Sequence, residues 1–348
     1  MFKKSIVYMV VFFLVLGFAL TGCSSKPEPA KEPEEGDQGF TIGFSNFSIE
    51  NSWRVSMEEE FKAYAEQLKA EGIIDEVILT NSNGDISKQI ADVRDLITKN
   101  VDAIVITAAS PSALAPVCEE AIDKGIVVIS FDNYVDSDKV TSKVGIDEIE
   151  FGRVNAQFLV DQLGGKGKIV VLNGIAGSAV DALRYQGAEE VFAQYPEIEI
   201  IGDAYAGWDY AQGKAATENF LAAHPQIDGV WSQGGAMTQG ALDAFIAAGR
   251  PLVPMSGEAN NGLLKAWLAN KDNGFSSIAP CCPTYVSATA LEVAIDALQG
   301  KEAPKQVNLD LPVVTEENLE EFVKPDLPDS FWNITKLSEE KVKELFSR

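Results

Sequence analysis

The stretch AIVITAASPSALAPVCEEAIDKGIVVISFDN, which runs from Ala103 to Asn133, decides the predicted fold. Two short runs rich in Val and Ile, Ala103–Thr107 and Val127–Phe131, flank a segment with helical apolar spacing over Ala113–Lys124. Gly125 follows that segment, where a residue that tolerates a positive φ ends a helix. A helix between two near-continuous apolar strands predicts a parallel sheet that is covered on both faces.

The same alternation continues on both sides of this unit. Upstream, strands are predicted at Thr41–Ser45 and Glu76–Thr80, and after a short strand at Ser142–Ile146 the pattern begins again. We therefore predict an α/β protein with two doubly wound parallel-sheet lobes of similar size. The later strands are predicted at Lys168–Asn173, Glu199–Ala204, Gly229–Ser232, Leu252–Met255 and Ser276–Ala279, with further helix ends at Gly164, Gly249 and Gly300.

Composition and charge exclude several function classes. The 348 residues include 28 Lys plus Arg against 52 Asp plus Glu, a formal charge of −24, which disfavours binding to nucleic acid. The one histidine and the four cysteines lack zinc-site spacing, and the sequence has no nucleophile elbow, P-loop or dinucleotide fingerprint. His224 precedes Pro225 at the predicted end of a helix and is expected to be a helix-terminal residue. We expect no metal, no cofactor and no enzymatic activity.

The N-terminus has the features of an export signal. Residues 1–22 combine Lys3 and Lys4 with fifteen residues, Ile6–Leu20, that are apolar apart from Tyr8 and Gly17. The following Leu-Thr-Gly-Cys23 resembles the lipobox of bacterial lipoproteins, which implies cleavage before Cys23 and its lipidation, with palmitate among the acyl groups. The alternative is an uncleaved anchor helix, for which fifteen residues are short.

Residues 23–39 are predicted to be a lipidated Cys and a disordered acidic tether. The segment SSKPEPAKEPEEGDQ contains no large apolar side chain, so it cannot bury enough surface to fold. We expect an exported protein anchored to the outer face of the cytoplasmic membrane, or a periplasmic protein if the cell has an outer membrane.

Candidate binding residues follow the carboxyl ends of the predicted strands, where open parallel sheets bind ligands. Amides and carboxylates pair with vicinal hydroxyls and aromatic rings cover the C–H face of a sugar, so this set favours a polyhydroxylated ligand. Turns also use Asn, Asp and Ser for backbone reasons, and Arg184 would equally suit a surface salt bridge. The candidates are Phe47, Asn51, Trp53, Ser110, Asp132, Asn133, Arg184, Trp208, Gln233, Glu258, Cys281 and Cys282.

Three pieces of the sequence resemble periplasmic solute-binding proteins of the ribose-binding type, the recognition components of sugar ABC transporters. The resemblance covers about residues 40–312 and implies two Rossmann-like lobes joined by three crossovers that close on a sugar. The pieces are Asn173–Ser178 with Arg184 and Gly187, Ala223–Pro225 leading to Val230–Gln233, and Val128–Asp132, and the crossovers would fall near Gly145–Asp147, Ala279–Cys282 and Asn308–Leu311.

The resemblance implies roles for five of the candidates. Asn51 and Trp53 match the family's Asn and ring-stacking Phe, and Asp132 matches its hydroxyl-clamping Asp. Arg184 matches the family's Arg, and Trp208 matches the aromatic residue of its C-terminal lobe.

The sequence departs from the family at three contact positions. Asn133 stands where the family has Arg, and Gly234 or Gly235 stands where it has Asn, which makes Gly234 the thirteenth candidate. The second clamping Asp falls on Gly257, unless a one-residue shift lets Glu258 serve. These changes disfavour ribose itself and favour a related sugar, a polyol or a modified sugar.

Cys281 and Cys282 occupy the crossover where the family places a ligand-contacting Gln. One hypothesis is a strained vicinal disulfide that presents a flat sulfur face to the ligand, since neighbouring Cα atoms lie about 3.8 Å apart, below the usual range for disulfides. The alternative is two free thiols in the pocket wall. Cys118, inside a predicted helix, is expected to be a small buried hydrophobe.

The expected organisation is an N-terminal lobe of residues 40–145 plus 283–307 and a C-terminal lobe of residues 146–282 plus 308–348. The extension from Val313 to Arg348 is expected to pack over one lobe. The expected function is capture of a sugar-like solute by a monomeric, lipid-anchored binding protein that delivers it to an ABC transporter permease. Alternatives are a receptor for a sugar-like signal, a regulator of the LacI type, which the acidic tether disfavours, and an exported carbohydrate enzyme that uses Asp132 and Glu258.

Overall fold

Two six-stranded sheets, each with its own helices, form the part of the protein that the computed structural model describes, residues 39–346. The strands are β1 (Phe40–Asn46), β2 (Ile74–Asn81), β3 (Ala103–Ile106), β4 (Val127–Phe131), β5 (Ser142–Gly145), β6 (Lys166–Asn173), β7 (Glu197–Tyr205), β8 (Gly229–Ser232), β9 (Met255–Ser256), β10 (Ser277–Pro280), β11 (Gln306–Asn308) and β12 (Val313–Val314). The helices are α1 (Ser52–Ala70), α2 (Ile86–Thr98), α3 (Pro111–Asp123), α4 (Glu148–Leu163), α5 (Ala179–Phe192), α6 (Tyr210–Ala223), α7 (Gly235–Ala247), α8 (Asn261–Asn270), α9 (Val286–Leu298), α10 (Leu319–Phe322) and α11 (Glu339–Phe346).

Both sheets are doubly wound, as the sequence predicts. The first has the order β11-β5-β4-β3-β1-β2 and the second β12-β10-β9-β8-β6-β7; β12 runs antiparallel to β10. Within β3, Ala103 and Val105 join one apolar core while Ile104 and Ile106 join another. Because successive side chains of a strand point to opposite faces, this alternation shows that helices cover both faces of the sheet.

The chain passes between the two sheets three times. The passages follow β5, which ends at Gly145, β10, which ends at Pro280, and β11, which ends at Asn308. The three predicted crossovers are therefore confirmed. The residue boundaries of the two lobes stay a prediction.

Glycine ends the helices where the sequence predicts. Gly125, Gly164, Gly249 and Gly300 have φ values of 86°, 62°, 62° and 76°, in the left-handed region that favours glycine. The expected terminal position of His224 is also confirmed, since it caps α6 with its backbone N–H bound to the carbonyl of Phe220.

One strand differs from its predicted position. The sequence predicts a strand at Leu252–Met255, but β9 covers only Met255–Ser256. Pro254 has no N–H to donate, and only its carbonyl takes part in pairing by accepting from the N–H of Val230 at 3.1 Å. Proline therefore delays the start of the strand.

The C-terminal segment contacts both lobes rather than one, which corrects our expectation. Leu319 and Val323 are buried in a core of the second sheet, whereas Trp332 is buried in the core formed by α1, α9 and the first sheet. The predicted signal peptide and nearly all of the predicted tether lie outside the described residues. Within residues 39–346, no helix is both long enough and apolar enough for a membrane crossing.

Helices α4 and α5 approach each other closely through two glycines. A Cβ on Gly152 would lie 1.8 Å from the carbonyl oxygen of Arg184, and one on Gly187 would lie 2.0 Å from that of Ile149. Both obstacles are backbone atoms, which cannot rotate away as a side chain could. The two glycines thus set where α5 places Arg184.

We expect Gly152→Ala to lower the free energy of unfolding by about 1–3 kcal/mol, because the added methyl group forces α4 and α5 apart. Chemical denaturation measures this loss. Gln157→Ala, an exposed change on the same helix, is the control and should change stability little. Equal stability of the two variants would contradict the close packing.

Candidate functional site

A cavity lies between the two lobes, at the carboxyl ends of the strands. Residues after β4 and β9 reach it, as do the start of α1 and the loop before α6. This position is typical of small-molecule sites in parallel α/β sheets. The lining residues are Asn51, Ser52, Trp53, Arg54, Asp132, Val180, Arg184, Trp208, Gly234, Gly235, Ala236, Glu258, Cys282 and Trp332.

Two lining residues hold a strained backbone. Asp132 has a φ of 57° and Trp208 a φ of 55°, in the left-handed region that side chains other than glycine disfavour. Such strain persists only where the surrounding structure imposes it, and it clusters at functional sites. The loop after β4 and the loop before α6 therefore share a backbone feature that is common at functional sites, although Asn83 and Asn100 adopt it away from the cavity.

Trp208 depends on two glycines for its position. A Cβ on Gly174 would lie 2.2 Å from the indole ring, and a Cβ on Gly234 would lie 2.6 Å from it. Gly234 is one of the two glycines at which the resemblance leads us to expect Asn, and the ring of Trp208 occupies the space that a side chain on Gly234 would need. The absence of a side chain at Gly234 is thus what allows Trp208 to lie in the cavity wall.

A buried ion pair joins α1 to the end of β4. Nη2 of Arg54 lies 3.0 Å from Oδ2 of Asp132, and Thr107 donates to the same oxygen at 3.3 Å. The guanidinium group also lies 3.8 Å from the ring centroid of Phe47, a cation–π distance. Arg54 therefore places a guanidinium beside Asp132, although Asn133 has replaced the family's Arg.

Arg184 is the centre of a second buried network. Its Nε donates to Oε2 of Glu148 at 2.6 Å, and its Nη2 lies 3.4 Å from Oε1 of Glu258. Nη1 donates to the backbone carbonyl of Gln233 at 2.9 Å, and the guanidinium lies 3.7 Å from the ring centroid of Phe151. The side chain is 4% exposed, so the surface salt bridge that the sequence left open is ruled out.

The two networks hold one more carboxylate than guanidinium groups. Asp132, Glu148 and Glu258 face Arg54 and Arg184. Burial raises the pKa of Glu148 to about 7, and the charges of Asp132 and Glu258 add to this, while Arg184 opposes it. Burial also raises the pKa of Glu258. The excess negative charge is thus relieved near neutral pH by proton uptake.

Two donors at the cavity are buried without a partner among residues 39–346. They are Nη1 of Arg54 and Nε1 of Trp208. An unmade hydrogen bond at a buried group costs about 1–3 kcal/mol, so such groups mark places where a ligand or water binds. The site therefore offers N–H donors beside indole surfaces, which suits hydroxyl oxygens on a ring or chain of carbon atoms.

Eight of the thirteen candidates line the cavity: Asn51, Trp53, Asp132, Arg184, Trp208, Gly234, Glu258 and Cys282. The side chains of two of these eight residues also form hydrogen bonds with the backbone. The side-chain oxygen of Asn51 accepts from the N–H of Arg54 at 3.0 Å and caps α1. The indole N–H of Trp53 donates to the carbonyl of Cys282 at 3.1 Å.

The other five candidates do not line the cavity. Phe47 lies beneath Arg54, and Ser110 occupies the N-cap position of α3. The amide of Gln233 donates to Asp181 at 2.8 Å, and Cys281 is buried in a core of the second sheet.

Asn133, the fifth, connects the lobes. Its side-chain oxygen accepts from the hydroxyl of Ser178 at 3.3 Å and from the N–H of Val180 at 3.4 Å. Asn133 follows the first sheet, and both donors stand at the start of α5 on the second. The contact therefore bridges the cleft, and the structure has the two lobes closed on the cavity.

Three important residues are not indicated by the pattern of strand ends. Arg54 lies on α1, and the one sequence feature that points to it is its position next to the candidate Trp53. Glu148 begins α4 just after the first crossover, so it stands at the start of a helix and not at the end of a strand. Trp332 comes from the C-terminal segment, whose position no local pattern indicates.

The vicinal disulfide is not present in the structure, where Cys281 and Cys282 are free thiols within the described residues. The side chain of Cys281 enters a core of the second sheet and that of Cys282 enters a core of the first. Because the neighbouring side chains point to opposite sides of the chain, their sulfur atoms do not meet. Burial raises the pKa of Cys281 to about 12 and that of Cys282 well above its usual value, so both thiols stay protonated at neutral pH. Cys118 is buried, as expected.

The part of the chain between residues 39 and 346 contains no group of three or more His, Cys, Asp or Glu side chains that could hold a metal ion. The carboxylates at the cavity pair with arginine instead.

Comparison with known proteins identifies relatives along most of the chain. The sequence profile of the family described as "Periplasmic binding protein domain" matches residues 42–302. The chain is 30% identical over 317 residues to the ribose import binding protein RbsB of Bacillus subtilis (strain 168), covering 90% of this chain and 100% of that one. It is 28% identical over 306 residues to the xylitol-binding protein of Mycolicibacterium smegmatis, covering 88% and 84%.

A solved structure has the same fold. The ABC transporter solute binding protein from Thermobispora bispora superimposes with a TM-score of 0.78 at 28% identity, covering 88% of this chain and 94% of that one. At this coverage the superposition includes most of both sheets.

We expect the protein to lose stability as pH rises from about 5 to 8. The folded state holds a proton on Glu148 up to a pKa of about 7, whereas the unfolded state releases it near 4.5, so the free energy of unfolding falls across that window. Thermal melts at several pH values measure the slope, and Glu148→Gln should make it shallower. Glu150→Gln, an exposed change on the same helix, should leave the slope unchanged; a slope that Glu148→Gln does not alter would contradict the assignment.

Proposed function

We propose, because the chain belongs to the family of periplasmic binding protein domains, that it captures a small neutral sugar or polyol between its lobes and delivers it to an ABC transporter permease. Membership of this family makes the chain a binding protein and not an enzyme. The names of two relatives, a ribose import binding protein and a xylitol-binding protein, support a sugar or polyol as the solute and make five-carbon compounds the first to test.

The cavity between the lobes carries this proposal. It joins indole surfaces of Trp53 and Trp208 to the unpartnered donors Nη1 of Arg54 and Nε1 of Trp208. Aromatic surface covers C–H groups while N–H groups bind hydroxyl oxygens, and a polyhydroxylated carbon skeleton presents both. We infer that the eight cavity-lining candidates and Arg54 contact the solute.

The solute is inferred to be neutral from the charges at the cavity. Arg54 and Arg184 are already paired with carboxylates, and the site carries one excess carboxylate. An anionic sugar would find no free cation to bind it, because both guanidinium groups are paired, and desolvating its own charge would cost further free energy. We therefore propose that the solute is neither a sugar phosphate nor a uronate.

Capture is inferred to proceed by closure of the lobes. The cavity takes residues from both sides of the cleft, and Asn133 reaches across to Ser178. A solute that contacts both lobes only in the closed form shifts the population towards that form by its differential affinity. The permease then distinguishes the loaded from the empty protein by the relative position of the lobes.

We further propose that residues 1–22 are a cleaved signal peptide and that lipidated Cys23 anchors a monomeric protein outside the cytoplasmic membrane. The support is the sequence alone: two lysines, fifteen mostly apolar residues and a lipobox-like Leu-Thr-Gly-Cys. The acidic tether would hold the lobes away from the bilayer, within reach of the permease.

A chain that begins at Gly39 should be stabilised by xylitol, D-ribose or a close neutral analogue and not by ribose 5-phosphate or glucuronate. At a hundred times its dissociation constant, a ligand adds about 2.7 kcal/mol, which raises the Tm by several degrees. A thermal-shift panel measures this. Asp132→Asn should abolish the shift, and Asp136→Asn, an exposed change four residues away, should preserve it; stabilisation by the anionic sugars alone would contradict the proposal.

Cys23→Ser should release the protein from the membrane. A single lost thiol removes the only site at which the proposed lipid attaches, while the folded lobes stay unchanged. Fractionation of cells that express each form and labelling with a palmitate analogue measure the effect, and Ser24→Ala is the neighbouring control. Membrane retention and labelling of Cys23→Ser would disprove lipidation at this residue.

A further inference from the structure

The C-terminal segment is fixed to the second lobe by one buried side chain. Asn261, at the start of α8, donates through Nδ2 to the carbonyls of Lys324, Leu327 and Pro328 at 2.8, 3.0 and 3.1 Å. Its Oδ1 accepts from the N–H of Lys324 at 2.9 Å. The N–H groups of Asn261 and Gly262 donate in turn to backbone carbonyls of Phe331 and Asp329. The path of the chain up to Phe331 is therefore set by the N-terminus of α8.

The same segment is fixed to the first lobe a few residues later. Glu60 on α1 is buried, and its Oε1 accepts from the hydroxyls of Thr284 and Thr335 and from the N–H of Lys336. The N–H of Thr284 donates to the carbonyl of Ile334 at 3.2 Å. Burial raises the pKa of Glu60, and these hydrogen bonds oppose that rise.

Trp332 lies between these two anchors and reaches the cavity. Its Nε1 donates to the hydroxyl of Ser52 at the start of α1 at 3.1 Å, and the side chain is buried. Ser52 and Trp332 both line the cavity. A segment that belongs to neither sheet thus supplies one wall of the cavity and holds the indole in place from both lobes.

We propose that Trp332 is a specificity-determining residue, which contacts the bound solute and limits its length. This inference rests on the proposed capture of a solute in this cavity. Asn261 and Glu60 anchor the chain on either side of Trp332, and the indole itself is buried and bonded to Ser52, so the ring cannot move aside without losing these contacts. A larger solute therefore meets a rigid wall, whereas a small one gains apolar contact with the ring.

The experiment measures dissociation constants for xylitol, D-ribose and the longer polyol sorbitol by titration calorimetry, with wild type, Trp332→Ala and Phe331→Ala. Phe331 is the matched control because it is a buried aromatic neighbour that packs against Phe346 and does not line the cavity. Trp332→Ala should weaken binding of the five-carbon probes about tenfold or more. The same substitution should weaken the binding of sorbitol less, so that the ratio of the dissociation constants for sorbitol and xylitol falls.

Phe331→Ala should lower the Tm but leave the order of affinities as in wild type. Trp332→Phe, which keeps an aromatic ring and loses the N–H donor to Ser52, should fold and show a smaller loss in the same direction. If Trp332→Phe and Trp332→Ala bind all three probes as wild type does, Trp332 is only structural and the inference is wrong. If folded wild type binds none of the probes, the proposed solute class itself is wrong, and the inference falls with it.

Discussion

Two guanidinium groups buried between the lobes set the constraint on which the rest of the structure depends. A buried charge without a partner costs several kcal/mol, so Arg54 and Arg184 require carboxylates close by. Those carboxylates come from Asp132 after β4, Glu148 at the start of α4 and Glu258 after β9. Each of these elements must therefore be in place before the cleft is stable. The ion pairs connect the helices to the loops that follow the strands.

The pairing of these charges also determines which groups of the cavity remain free to bind a solute. Once the carboxylates and guanidinium groups satisfy one another, the cavity offers indole surface and two unpartnered N–H donors rather than a free charge. Trp208 contributes to both, at the cost of a left-handed backbone and of glycine at positions 174 and 234. A neutral, hydroxyl-rich molecule can bind to this indole surface and to these two donors. Trp332 adds a wall of the cavity that neither sheet supplies.

Sequence reasoning found the part of the site that follows the strands. Asp132, Trp208 and Glu258 stand in loops at strand ends, where the topology of a parallel sheet directs attention. It missed Arg54 and Glu148, which lie on the first turns of helices and look like ordinary polar helix residues. It also left Arg184 undecided between a ligand contact and a surface salt bridge, because burial depends on α5 packing against α4 through Gly152 and Gly187.

The alternation of strands and helices, the glycines that end the helices and the presence of two lobes can all be predicted from the sequence. These follow from side-chain periodicity and from φ preferences that act over a few residues. The tertiary structure decided that Cys281 and Cys282 enter different cores, that Arg54 meets Asp132 across 78 residues and that Arg184 meets Glu258 across 74. Such contacts depend on which elements pack together, and no local pattern records that choice, because the free energy that selects it is gained only when distant segments bury their charges together.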